Sequence, residues 1–288
     1  MLVFSALSTA ALPALAQIAP ETATINQQGS HGTATIDQEI VTPPRFEASI
    51  FQGPGVGSRA SIRQFGVDAH ATVKQYGDRQ TAQVAQHVDG GHVTVTQSGS
   101  RNLADIDQGT LSGILKLQQS GGANTARILQ YGGDLQADVT QRGTGNAVTI
   151  NQPFNFHEAV TVEQNGTNNR ADIGPNGTLA DTTVVQYGTD NLATIRGFGM
   201  LASIGQDGAT NQAEIDLNGV GVQGTIGQRG TGNRATIISV GENNLASIRQ
   251  GGRNNLARID QNGSGLVASI AQNTLSPGYG NLASITQR

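Results

Sequence analysis

Gln228–Gln272 reads QRGTGNRATIISVGENNLASIRQGGRNNLARIDQNGSGLVASIAQ. Within it ATI, ASI, ARI and ASI recur so that Ile237, Ile248, Ile259 and Ile270 stand eleven residues apart. Gly and Asn fill the intervals, and most units close on Gln. A unit of this kind cannot bury an apolar face alone, so the fold is decided by how copies stack.

Working outward, the frame small–x–Ile/Val–x–Gln runs from Ala23 to Gln287 in 24 units, and 18 of the 23 spacings are eleven. That regularity makes repetition, not a globular core, the organising principle. Within a unit the alternation has period two: Ala104, Ile106 and Gln108 face one way, Asp105 and Asp107 the other. Period two with β-branched Ile, Val and Thr is the signature of a strand, and the Gly that follows marks a tight turn. A second layer appears at Asn102, Asn124, Asn146, Asn169, Asn191, Asn211, Asn233 and Asn255, about 22 residues apart, with Asn244 as an exception. The period is therefore one coil of two unlike strands. The expected fold is all-β: a two-sheet parallel β-solenoid, an amyloid-like cross-β stack, of about twelve strand–turn–strand coils.

Composition agrees. The 288 residues include 39 Gly but no Cys and no Trp, so neither a disulfide framework nor a thiolate metal site is available. The net charge of −4 gives no basic field for nucleic acid. Six Arg against Glu242 and Asp260 make the stretch from Arg229 to Arg288 basic and leave the remainder acidic. Residues 1–16, MLVFSALSTAALPALA, are apolar and end in a small-x-small pattern, so they are expected to be a secretory signal, without a preceding Lys or Arg. Residues 17–22 then form a short N-terminal segment, and 23–288 a single repeat domain.

Stacking turns the inward amides into the informative residues. A buried amide without partners is costly, but one set on an identical amide above and below can donate to one neighbour and accept from the other. The expected ladder comprises Gln97, Asn102, Gln108, Gln119, Asn124, Gln130, Gln141, Asn146, Gln152, Gln164, Asn169 and Gln186, and continues through Asn191, Gln206, Asn211, Gln228, Asn233, Gln250, Asn255, Gln261, Gln272, Asn281 and Gln287. Ile106, Ile128, Ile150, Ile195, Ile237, Ile248, Ile259, Ile270 and Ile285 form the expected apolar core beside it. Gln gives way to Pro175, Gly197, Leu217 and Ser239, so one side is less regular through the middle.

Gln97-Ser-Gly99-Ser-Arg-Asn102-Leu-Ala104-Asp-Ile-Asp-Gln108, Gln141–Gln152 and Gln250–Gln261 resemble the curlin repeat, Q-x-G-x-x-N-x-A-x-x-x-Q. The resemblance spans essentially all of the chain after the signal. It implies a secreted subunit of curli-type extracellular amyloid fibres at the bacterial cell surface, serving biofilm matrix and adhesion. It also implies partners: further copies of the chain stacked end to end, a second curlin-type subunit, and an outer-membrane secretion apparatus. No cofactor and no enzymatic activity are expected.

Other sites were weighed. His87, Asp89 and His92 lie close around a turn and could hold a metal, but a polar turn is the simpler reading. No Ser/His/Asp set or phosphate loop stands out. A second functional class is a soluble solenoid that binds ice or polysaccharide through a regular outward face. Thr24, Thr35, Thr72 and Thr94 point outward, but residues at equivalent positions include Arg, Asp, Ser and Gln. No single-residue binding ladder is expected.

Overall fold

In a computed structural model the protein is described at residues 2–7, 22–40, 46–87, 90–175, 181–273 and 280–288. These fall into two compact units, Met1–Gly145 and Asn146–Arg288. Each is an all-β parallel solenoid built as the repeat demands.

In the first unit eleven strands run from Thr22–Gln27 to Gln136–Thr144. Each pairs in parallel with the strand after next, so the strands sort into two sheets. Leu103–Leu111, for example, receives Thr81–His87 on one side and Thr125–Gly133 on the other, with Ala82, Ala104 and Ala126 in one row and Val84, Ile106 and Ile128 in the next. The opposite sheet aligns Gln75, Gln97, Gln119 and Gln141 in the same way. Period two appears directly in the burial: across Leu103–Leu111, Ala104, Ile106 and Gln108 are buried, and Asp105 is exposed. Many strands are nine residues long, because the ladder continues past Gln into the turn glycine.

The second unit repeats this from Ala147–Phe156 to Leu282–Gln287. Here Leu192–Ala209 and Gln212–Thr231 are continuous strands that pass from one sheet into the other. The nine-residue interval between Ile195 and Ile204 is absorbed at that corner, where the pairing jumps between Phe198 and Met200. Counting both halves of these two strands, thirteen strand arms line this unit among the described residues, and the arms of both units together make about twelve coils.

The space between the sheets is filled by Ala and Ile or Val, nearly all fully buried, with Phe46, Leu115, Leu117 and Leu135 as the larger exceptions in the first unit. Burial of each Ile or Val contributes on the order of 1.5–3 kcal/mol. Of the expected core set, Ile285 alone is not buried; with Asn281 and Gln287 it lies on or beside the strand Leu282–Gln287, whose ladder partner among the described residues is Leu256–Asn262.

Of the expected signal segment, Leu2–Leu7 falls within the described residues; the rest, like residues 17–21, lies outside them. Leu2–Leu7 is paired antiparallel to Thr33–Ile40, Leu2 opposite Gln38 and Leu7 opposite Thr33.

Candidate functional site

The inward amides form ladders. In the first unit the Nε2 of each Gln donates to the Oε1 of the Gln one coil further on. The distances are 2.8 Å from Gln52 to Gln75, 2.9 Å from Gln75 to Gln97, and 2.8 Å both from Gln97 to Gln119 and from Gln119 to Gln141. On the opposite sheet Gln38, Gln64, Gln86, Gln108 and Gln130 do the same at 2.9–3.4 Å. In the second unit Gln164, Gln186, Gln206, Gln228, Gln250 and Gln272 are joined at 2.7–2.9 Å. Gln261 continues to Gln287 at 2.9 Å.

The remaining Nε2 hydrogen crosses to the other sheet. Gln97 donates to the carbonyl of Thr81, Gln119 to Leu103 and Gln141 to Thr125, each at 3.0 Å. Each of these three amides thus binds a neighbouring coil and ties the two sheets together. A net value of about 1 kcal/mol per bond accumulates with every coil.

The Asn row runs the other way. Asn191 donates Nδ2 to the Oδ1 of Asn169 behind it at 3.0 Å and to the carbonyl of Gly208 ahead at 3.0 Å. The same pattern links Asn211 to Asn191 and Asn233 to Asn211. The row holds the arch in place, and the arch needs glycine. Gly99 has φ +100, and a Cβ there would collide with the carbonyl of Gly121; Gly208 has φ +126 and would meet Gly230 in the same way.

The expected ladder residues from Gln97 to Gln272 are all buried within these rows. Sequence reasoning missed the earlier members, Gln38, Gln52, Gln64, Gln75 and Gln86, which close the same five-residue frame. It also missed two stand-ins on the Asn row: Gln80 Oε1 accepts the Asn102 N–H at 3.2 Å, and Ser58 Oγ accepts that of Gln80 at 3.2 Å. Asn244, the exception in the sequence, makes Asn-row contacts: Nδ2 donates to Gly263 at 2.8 Å, and Oδ1 accepts from Leu266 at 2.8 Å. Where the Gln row is broken, Leu217 and Ser239 are fully buried, and Ser239 Oγ donates to Gln261 at 3.0 Å.

His87 and His92 go to different sheets. His92 stacks on His70 with ring centres 4.5 Å apart, while His87 Nε2 lies 3.5 Å from Asp107. Asp89 lies outside the described residues. Beyond Gly109, whose missing side chain leaves space for the ring, Tyr131 comes within influence of the Asp107 carboxylate. Burial and that carboxylate push the Tyr131 phenol up to about 12.

No single-residue row forms here, but register brings outward hydroxyls of two residue types, Thr and Ser, together. They form a row of one chemical kind on one sheet of the second unit: Thr161, Thr183, Ser203, Thr225, Ser247 and Ser269 lie side by side. Residues from the two sheets alternate along the chain, and so the row is invisible until the arms are separated.

Comparison with known proteins gives one family. The family model described as Curlin associated repeat matches residues 115–143, 223–252 and 252–288. No curated protein matches the chain.

Proposed function

We propose, since this chain belongs to the curlin repeat family, that its activity is assembly: copies stack end to end into curli-type extracellular amyloid fibres. Repeat and solenoid together support the broader role of an amyloid-forming structural subunit. The observation that carries the finer reading is the ladder itself. Most Gln and Asn side chains in it join the counterpart one coil away, so a neighbouring copy of the chain offers the same partners as the next coil. The strand Leu282–Gln287 leaves Ala283, Ile285 and Gln287 half-exposed, and a further strand in register would bury them.

In this proposal the fibre is secreted, stands at the bacterial surface and serves matrix and adhesion. Its partners are further copies, a second curlin-type subunit and an outer-membrane secretion apparatus, and the chain performs no catalysis. Dialysis out of denaturant, followed by electron microscopy and fibre diffraction, tests the central claim. Unbranched fibres with a repeat of about 4.7–4.8 Å are expected. A monodisperse monomer after prolonged incubation at neutral pH would refute it.

A further inference from the structure

The two outward faces of the second unit are unlike, and the difference can be read row by row. Four neighbouring arms of one sheet present Leu192, Thr194, Arg196; Gln212, Glu214, Asp216; Arg234, Thr236, Ile238; and Leu256, Arg258, Asp260. Six of these twelve are charged. The corresponding arms of the other sheet present Leu201, Ser203, Gly205; Gln223, Thr225, Gly227; Leu245, Ser247, Arg249; and Val267, Ser269, Ala271. One of these twelve is charged.

This second face has relief. Along the stack, Leu201, Gln223, Leu245 and Val267 make a ridge, with Leu201, Leu245 and Val267 exposed at 51%, 42% and 63%. The hydroxyl row follows it. Then comes a groove of about 760 Å³ whose floor includes Gly205 and Gly227. A Cβ on either glycine would meet nothing within 4 Å. Beyond the groove stands the Asp207–Arg229 ion pair at 3.2 Å. Ridge and groove lie on opposite sides of the hydroxyl row, each two residues away, so about 6.6 Å to either side.

We infer that this face is where a second stack of the same chain lies alongside, related by a two-fold axis parallel to the stacking direction. The inference rests on the assembly reading above. Such an axis, placed over the hydroxyl row, carries the ridge of one stack onto the groove of the other and brings the two hydroxyl rows together. A two-fold perpendicular to the stack and along the strands would set ridge on ridge and leave both grooves empty. Both stacks share one rise per coil, about 4.8 Å, so a contact made at one coil recurs at all of them. A ligand with any other period falls out of step. The contact is isologous, with the same patch on both sides.

Area separates this from ordinary dimerisation. Four coils offer a face of about 13 by 19 Å, about 250 Å² a side, against about 800 Å² a side for a stable complex. A single pair of chains stays apart, but stacking multiplies the face with each added copy. Pairing therefore follows elongation and does not precede it.

The test is mass per unit length by scanning transmission electron microscopy, with elongation followed separately by dye binding on seeded growth. Wild-type fibres are expected to carry two stacks. In the double variant Gly205→Lys/Gly227→Lys, which fills the groove with charge where the structure leaves room, mass per length halves while the seeded elongation rate stays within about twofold. The control Thr236→Lys, on the charged face, leaves both unchanged. Single stacks in the wild type, or paired stacks in the double variant, overturn the inference. So does pairing that appears only when a polysaccharide is added, because the face then belongs to a glycan. A chain that forms no fibres refutes the assembly reading, and this inference falls with it.

Discussion

Asn124 gives both its backbone N–H and its side-chain amide to one atom, the Oδ1 of Asn102, at 3.0 and 3.1 Å. Its Nδ2 also reaches the carbonyl of Gly143 at 3.0 Å, so one buried side chain fastens three successive coils. Substitution by Ala keeps the backbone N–H bond but removes the side-chain ones, taking a donor from the carbonyls of Ser120 and Gly143, which costs about 1–3 kcal/mol. Asn124→Ala is therefore expected to lower the urea midpoint of freshly desalted protein. Asn124→Asp, which keeps the shape but supplies no donor, should lower it further at neutral pH.

Gln228 accepts from Gln206 and donates to Gln250, both at 2.9 Å, at a buried position. In Gln228→Glu the carboxyl restores the missing donor only when protonated, and burial raises its folded pKa above the unfolded value of about 4.3. The variant should approach wild-type stability below that unfolded value. It should then lose stability steadily as pH rises towards the folded pKa. Urea midpoints of variant and wild type measured from acid to neutral pH should diverge in that direction; a gap that narrows with rising pH would contradict the buried ladder.

Gly99 combines φ +100 with the carbonyl of Gly121 lying where a side chain would begin. Gly99→Ala meets both obstacles and is expected to cost about 1–3 kcal/mol. Gly227→Ala has neither positive φ nor a neighbour within 4 Å and should be close to neutral. Thermal unfolding of the pair separates a backbone requirement from the general loss of glycine.

Burial, and the Asp107 carboxylate with it, push the Tyr131 phenol up to about 12. Its folded value lies above the unfolded one of about 10, so its contribution to stability is complete below that pH and is lost as pH rises towards 12. Difference titration of tyrosinate absorbance between wild type and Tyr131→Phe should report the raised midpoint. Asp107→Asn should bring it down.

Much of this was legible in the sequence, because a solenoid writes its own register: the eleven-residue spacing of Ile237 and Ile248 gives the strand, and the doubled spacing of Asn233 and Asn255 gives the coil. What was not legible depends on which arms become neighbours. Ser203 and Thr225 are unremarkable in the chain and become a hydroxyl row only once Leu192–Ala209 lies against Gln212–Thr231. Compensation across the sheets is equally hidden. Leu217 replaces an inward Gln, and opposite it Gly224 replaces the usual Ala; a Cβ there would come within 3.2 Å of the Leu217 side chain. Ser58 and Gln80 escaped notice because hydrogen-bonding role, not residue identity, is what the Asn row preserves.

The Gln and Asn rows point in opposite directions: Gln206 donates forward to Gln228, and Asn233 donates back to Asn211. A break between any two such coils therefore leaves unlike faces. One offers Gln donors beside Asn acceptors, and the other offers Gln acceptors beside Asn donors. Two faces of the same kind brought together would oppose donor to donor in one row and acceptor to acceptor in the other. The side chains thus carry an arrow, and a fibre grown from them has a front and a back.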